Sequence, residues 1–122
     1  MIGKTATATT TVKDTNTAKA VGSGNLDVFS TPMMIALMEE AACNVLANSL
    51  EPGQSSVGTQ ISIDHTAASP LNSNITATAT ITGIEGRKVT FDISAKDDKS
   101  EIGKGTHTRF IVDAERFMAK LK

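Results

Sequence analysis

Phe29-Ser30-Thr31-Pro32-Met33-Met34-Ile35-Ala36-Leu37-Met38-Glu39-Glu40-Ala41-Ala42-Cys43 is the stretch whose reading decides the fold. A hydroxyl residue directly before a proline marks a helix start, because the missing N–H of Pro32 costs nothing at the first helical position. Thr31, next to that proline, reads as the cap in preference to Ser30. The apolar run from Met33 to Leu50 is then one long helix, stopped by Pro52-Gly53. At about 100° per residue, Met34, Ile35, Met38, Ala42, Val45 and Leu46 share a broad face. Glu39 falls at the edge of that face and Glu40 on the opposite side. A helix this apolar has to be covered on most of its surface.

The cover is legible in the flanking segments. Thr5 to Lys13 is Thr-rich and suits a strand, and Gly22-Ser23-Gly24-Asn25 reads as a loop before Leu26, Val28 and Phe29. After the helix come four strand-like segments. In Val57 to His65, the residues Val57, Ile61, Ile63 and His65 are read on one face. Ile75, Ala77, Ala79 and Ile81 alternate with threonines, and Val89, Phe91, Ile93 and Ala95 alternate with polar residues. Gly83 to Lys88 and Asp97 to Ser100 read as hairpin connections between antiparallel neighbours. Glu101 to Val112 is a last strand in which Gly103 and Gly105 mark a bulge. Asp113 caps a short amphipathic helix carrying Ala114, Phe117, Met118 and Leu121 on one side. The class is α+β, an antiparallel β-sheet wrapped around one long central α-helix, in a single domain over residues 1–122.

Composition narrows the function. A net charge of −1, with neither Trp nor Tyr, leaves no basic or stacking surface for nucleic acid. No apolar run approaches the roughly 20 residues that span a bilayer. One cysteine, Cys43, allows no intrachain disulfide and suits a reducing compartment. The N-terminal segment lacks the pattern of a secretory signal. The expectation is a soluble, cytoplasmic protein without membrane or nucleic-acid partners. Two histidines and one cysteine, far apart, show no metal spacing and call for no cofactor.

Three side chains remain as candidates for chemistry. Glu39 brings a carboxylate to the edge of an apolar face, although two ordinary helix formers fringing the core explain Glu39 and Glu40 equally well. Thr31 is a cap that also sits at the positive end of the helix dipole, where an oxyanion is stabilised. His65 shares its face with Ile61 and Ile63 and points toward the helix, as a satisfied interior histidine also does. His107 reads as a surface residue, and Cys43 as a small core or interface thiol. Together, one hydroxyl, one carboxylate and one imidazole form the inventory of a Ser-His-Asp-like site.

These residues carry a family resemblance. Val28-Phe29-Ser30-Thr31-Pro32-Met33, Leu37-Met38-Glu39, Val57-Gly58-Thr59 and Asp64-His65 resemble the hotdog-fold thioesterases, and within them the fluoroacetyl-CoA thioesterase-like family, over nearly the whole chain. The resemblance implies hydrolysis of an acyl-CoA thioester, with Thr31, Glu39 and His65 catalytic. It implies that Gly58 brings backbone close to the thioester and that Arg109 contacts substrate. It implies a homodimer with active sites at the interface. The lid phenylalanines of that family are not evident: the corresponding loop is Val21 to Leu26, and only Phe29 is aromatic, so the fluorinated substrate is not carried over. A non-catalytic acyl-CoA-binding module and a dehydratase on the same fold are the alternatives, since fold alone does not fix function. Thr31 and Glu39 are eight helical residues apart, about 12 Å, so a second subunit is expected to bring its carboxylate to each Thr31/His65 pair.

Overall fold

In the computed structural model, which describes residues 1–122, strand β1 (Thr5–Thr11) leads through a helical turn α1 (Ala18–Val21) into the long helix α2 (Thr31–Ala47). Strands β2 (Gln54–His65), β3 (Asn74–Glu85), β4 (Lys88–Lys96) and β5 (Glu101–Asp113) follow, then a short helix α3 (Ala114–Ala119). The strands form one antiparallel sheet in the order β1-β3-β4-β5-β2. Helix α2 packs chiefly on β1 and β3 and reaches β4 and β2, so the sheet curls around it. This is the α+β arrangement expected. No helix is long and apolar enough to cross a membrane.

The strands close on each other as their residues dictate. The two-residue turn Gly86-Arg87 joins β3 to β4, with Gly86 at φ 64°, a conformation that only glycine adopts without strain. On β3 the fully buried Ala77 and Ala79 carry little bulk, which lets α2 settle close against the sheet beside Ile75 and Ile81. From α2, Met34, Leu37, Met38, Ala41, Ala42, Val45 and Leu46 are buried. Leu37 and Ala41 thus belong to the core face, and Ile35 stands at its margin, because β1 covers a flank that the helical wheel leaves open.

Several expectations are corrected. Ser30, not Thr31, caps α2: its hydroxyl accepts from the Met33 amide at 3.3 Å. A register shift between Gly58 and Gln60 on β2 reverses the alternation there. Val57 consequently pairs with the exposed Phe110, on the face away from Ile61, Ile63 and His65. Gly103 and Gly105 pair regularly with β2, and the irregularity expected in this part of β5 falls beside Gly103, where Ile102 is the extra residue against β4. A side chain at Gly105 would run into the Ser62 carbonyl and the Ile63 backbone, and one at Gly103 into Met34. Residues 18–21, just before the loop Gly22-Ser23-Gly24-Asn25, form a helical turn capped by Thr17. Helix α3 is capped by Asp113, yet Met118 and Leu121 are exposed rather than packed. Cys43 is exposed on α2 and is no core thiol.

Gly105→Ala is expected to lower stability by about 1–3 kcal/mol, since backbone rather than a flexible side chain blocks the added methyl. Ser30→Ala is expected to cost about 1 kcal/mol through loss of the cap. Urea midpoints of the two variants against wild type measure both.

Candidate active site

With the first-turn amide satisfied by Ser30, the Thr31 hydroxyl is free to bond elsewhere. Thr31 Oγ1 lies 2.7 Å from His65 Nδ1, at the end of β2. The other first-turn donors are spent: Pro32 has none, Met33 N–H goes to the Ser30 hydroxyl, and Met34 N–H goes to the Ser30 carbonyl. The Thr31 amide is therefore the helix-start N–H left to meet an anion. A cavity of about 260 Å³ opens beside the pair. Its apolar walls are Ala18 from α1, Val28, Phe29, Ala67 and Ala68.

His65 is half-buried, and its Nε2 is buried without a hydrogen-bond partner in this chain. Loss of hydration holds its pKa below the ordinary 6.5, with the Ala67 backbone acting in the opposite sense. The neutral imidazole consequently persists through neutral pH, the form that accepts a proton from a hydroxyl.

Glu39 is not part of this pair. Its Oε2 accepts from Arg109 Nη1 at 3.1 Å, on a half-exposed carboxylate whose Oε1 receives no hydrogen bond from this chain. The guanidinium of Arg109 is buried and held from several sides. Nε donates to the Ser56 hydroxyl at 2.9 Å, and Nη2 to the Ser56 carbonyl at 3.1 Å. Nη1 also meets His107 Nε2 at 3.2 Å. Gly58 sits directly beneath, paired with Arg109 across β2 and β5. A Cβ there would lie 2.7 Å from Glu39 Oε2, so glycine is what admits the carboxylate to the sheet.

His107 is no surface residue: it is 1% exposed, stacked on Phe91 with ring centroids 5.7 Å apart. Its alternation with Arg109, two positions along the same strand, was the available signal, since such neighbours share a face. Its Nδ1 lies 2.7 Å from the Gln60 carbonyl, which can only accept, so Nδ1 carries the hydrogen. Its Nε2 receives a hydrogen from Arg109, so the ring is neutral. Burial, helped by the Arg109 charge, keeps the His107 pKa below 6.5; the Gln60 carbonyl and Glu39 act against this.

The five candidates thus form two groups: Thr31 with His65, and Glu39 with Gly58 and Arg109. On β5 the partners of His65 and Gly58 are Gly103 and Arg109. Six strand residues put His65 and Gly58 about 20 Å apart, and Thr31 and Glu39 lie about 12 Å apart along α2. No cluster of His, Cys, Asp and Glu has the form of a metal site.

Comparison with known proteins agrees with this architecture. The profile of the family described as fluoroacetyl-CoA-specific thioesterase (FlK) matches residues 12–115. The fluoroacetyl-CoA thioesterase of Streptantibioticus cattleyicolor is 44% identical over 96 residues, covering 79% of this chain and 69% of that protein. A crystal structure of the fluoroacetyl-CoA thioesterase FlK superposes with a TM-score of 0.93 at 36% identity, covering 99% of this chain and 94% of the other. A single-residue variant of FlK bound to fluoroacetate and CoA gives 0.90 at 36% identity, over 96% and 98% of the two chains. A thioesterase-superfamily protein from Thermus thermophilus shares the hotdog fold at 23% identity, with a TM-score of 0.91 over 99% and 90%. By the extent of the profile match and by the identity to a characterised relative, the chain belongs to the fluoroacetyl-CoA-specific thioesterase family.

Proposed function

We propose that this acyl-CoA thioesterase cleaves a small acyl-CoA at a site assembled from two copies of the chain, with Thr31 and His65 from one and Glu39, Gly58 and Arg109 from the other. The observation that carries this reading is the 2.7 Å Thr31–His65 contact, made some two helical turns, about 12 Å, from the only candidate carboxylate. A hydroxyl that donates to His65 Nδ1 requires the ring hydrogen on Nε2, and that atom is buried without an acceptor. The Glu39 carboxylate of a second copy is the acceptor proposed, through the Oε1 that Arg109 does not use.

Strand β2 supports the assembly. It is an edge of the sheet, twelve residues long, and carries no Lys or Pro to guard its unpaired backbone groups. Antiparallel pairing of two β2 strands about a twofold axis at Ser62 would set His65 of one copy opposite the Gly58–Thr59 bulge of the other. That places each carboxylate next to a Thr31/His65 pair.

In the proposed reaction, Thr31 Oγ1 attacks the thioester carbonyl while His65 Nδ1 takes its proton. The carbonyl oxygen gathers charge near the Thr31 amide and the N-terminus of α2. The C–S bond then breaks, and His65 returns the proton to the departing CoA sulfur. Water then attacks the acyl-threonine, giving a proton to His65, which passes it to Thr31 Oγ1 as the carboxylic acid departs, Glu39 holding the imidazole in place. The cavity next to Thr31, half of whose lining is apolar, receives the acyl group. Its size and its single aromatic, Phe29, fit a short acyl chain. FlK is named for fluoroacetyl-CoA; here the absence of lid aromatics argues for small acyl groups without a requirement for fluorine.

CoA release from acetyl-, fluoroacetyl-, propionyl- and butyryl-CoA tests the reading. Thr31→Ala, Glu39→Gln and His65→Ala are each expected to lower kcat/KM at least about 100-fold; a variant that keeps full activity removes its residue from the mechanism. Because the His65 pKa is lowered, wild-type activity is expected to hold through neutrality and decline only below pH 6.5. An acid decline centred above that value would contradict His65 as the base.

Mixing two inactive variants tests the shared site. Thr31→Ala and Glu39→Gln chains, unfolded and refolded together, are expected to recover about a quarter of wild-type activity, because half the dimers are mixed and each has one intact site. If both groups act within one chain, the mixture stays inactive.

A further inference from the structure

We infer that His107 is a positioning residue for the thioesterase site: its neutral imidazole, hydrogen-bonded to the Gln60 carbonyl, holds the Arg109 guanidinium so that Glu39 is presented at Gly58, and it draws that carboxylate away from Arg109 when it takes up a proton. The inference rests on the proposed roles of Glu39 and Arg109.

The geometry allows one arrangement of hydrogens. The Gln60 carbonyl at 2.7 Å fixes a hydrogen on Nδ1. Arg109 Nη1 then has two hydrogens and two acceptors, His107 Nε2 at 3.2 Å and Glu39 Oε2 at 3.1 Å. With the two Ser56 bonds, this locks the guanidinium plane. Without an acceptor at Nε2, Nη1 could turn away from Glu39. Phe91 on β4, stacked against the ring, keeps the imidazole from rotating out of line.

Protonation reverses the arrangement. The charged and titratable groups facing His107 are Glu39 from α2 and Arg109 from its own strand; β2 presents the Gln60 carbonyl and β4 the Phe91 ring. A proton on Nε2 replaces an acceptor by a cationic donor aimed at Arg109. Glu39 Oε2 is only 3.9 Å from Nε2, so the imidazolium competes with Arg109 for the same oxygen. Burial and the neighbouring guanidinium oppose that proton, so the cluster stays assembled at neutral pH and opens only in acid.

The test is the pH profile of kcat/KM for wild type, His107→Gln and His107→Leu. Gln keeps an acceptor at the Nε2 position but does not titrate; Leu offers none. Wild type should lose activity in acid with a slope that steepens from about one to about two, for His65 and His107 in turn. His107→Gln should fall with a slope of about one, and at pH 8 should retain much more activity than His107→Leu, which is expected to drop at least about 10-fold. An unchanged acid slope in His107→Gln, or wild-type activity in His107→Leu, overturns the inference. Glu39→Gln, run alongside, separates the failures: if it remains active, the reading of Glu39 fails. If it is inactive while the His107 variants behave as wild type, only the role of His107 fails. Should the variants not fold, ¹⁵N imidazole spectra of the wild type decide, since the chain has only two histidines. A neutral Nδ1–H tautomer at His107 supports the inference, and an Nε2–H tautomer overturns it.

Discussion

Helix α2 begins with two hydroxyls in succession, and one amide in its first turn lies within reach of them. Ser30 satisfies that amide, in an extended conformation that places its side chain over the Met33 N–H. Had Thr31 served as the cap, its oxygen would be committed to backbone and its hydrogen aimed elsewhere. The division leaves Thr31 already inside the helix, with its hydroxyl on His65. Pro32 sharpens the arrangement: it fixes the backbone of the first turn and removes one competing donor. The hydroxyl proposed as the nucleophile thus depends on a neighbouring hydroxyl that does the ordinary structural work.

The second group solves a different problem, that of burying a cation. An isolated guanidinium inside a sheet would be costly, and Arg109 is 6% exposed. Its bonds to Ser56, Glu39 and His107 replace the lost water. Glu39 supplies the compensating charge while staying half in solvent, which limits the desolvation cost of the pair. The absence of a side chain at Gly58 lets a helix-borne carboxylate reach a strand-borne arginine. Backbone geometry, not only side-chain chemistry, sets where the negative charge sits.

The long elements were legible in the sequence because their periods are strong. The apolar run of α2, the alternation in β3 and β4, and the turns between them sufficed for the fold class. The errors arose where a single residue shifts the phase. The extra residue at Thr59 turns Val57 to the other face, and no period-two pattern within β2 registers a bulge whose flanks are polar on both sides. Ser30 against Thr31 is a choice between adjacent hydroxyls that propensity does not separate. Polar residues on both faces of β5 hide the alternation that turns His107 inward, although Arg109, two positions on, shares its face. The spacing of Thr31, Glu39 and His65 was readable as an inventory. Their distances were not, since they follow from how the sheet curls around α2.

Separating the two groups has a structural rationale in the strand they share. β2 carries His65 at its end and Ser56 and Gly58 nearer its start, so one strand sets the distance between the two halves. β2 is also the edge whose backbone groups most need a partner. In the proposed assembly one event satisfies both demands: pairing two edges covers the exposed ladder, and the antiparallel register brings each half-site against its complement. A parallel arrangement would cover the edge equally well but set His65 beside His65 and Gly58 beside Gly58, leaving every Nε2 without its carboxylate. In the proposed assembly the requirement for a complete site therefore selects the twofold geometry, and it would tie thioester cleavage to association of the chain.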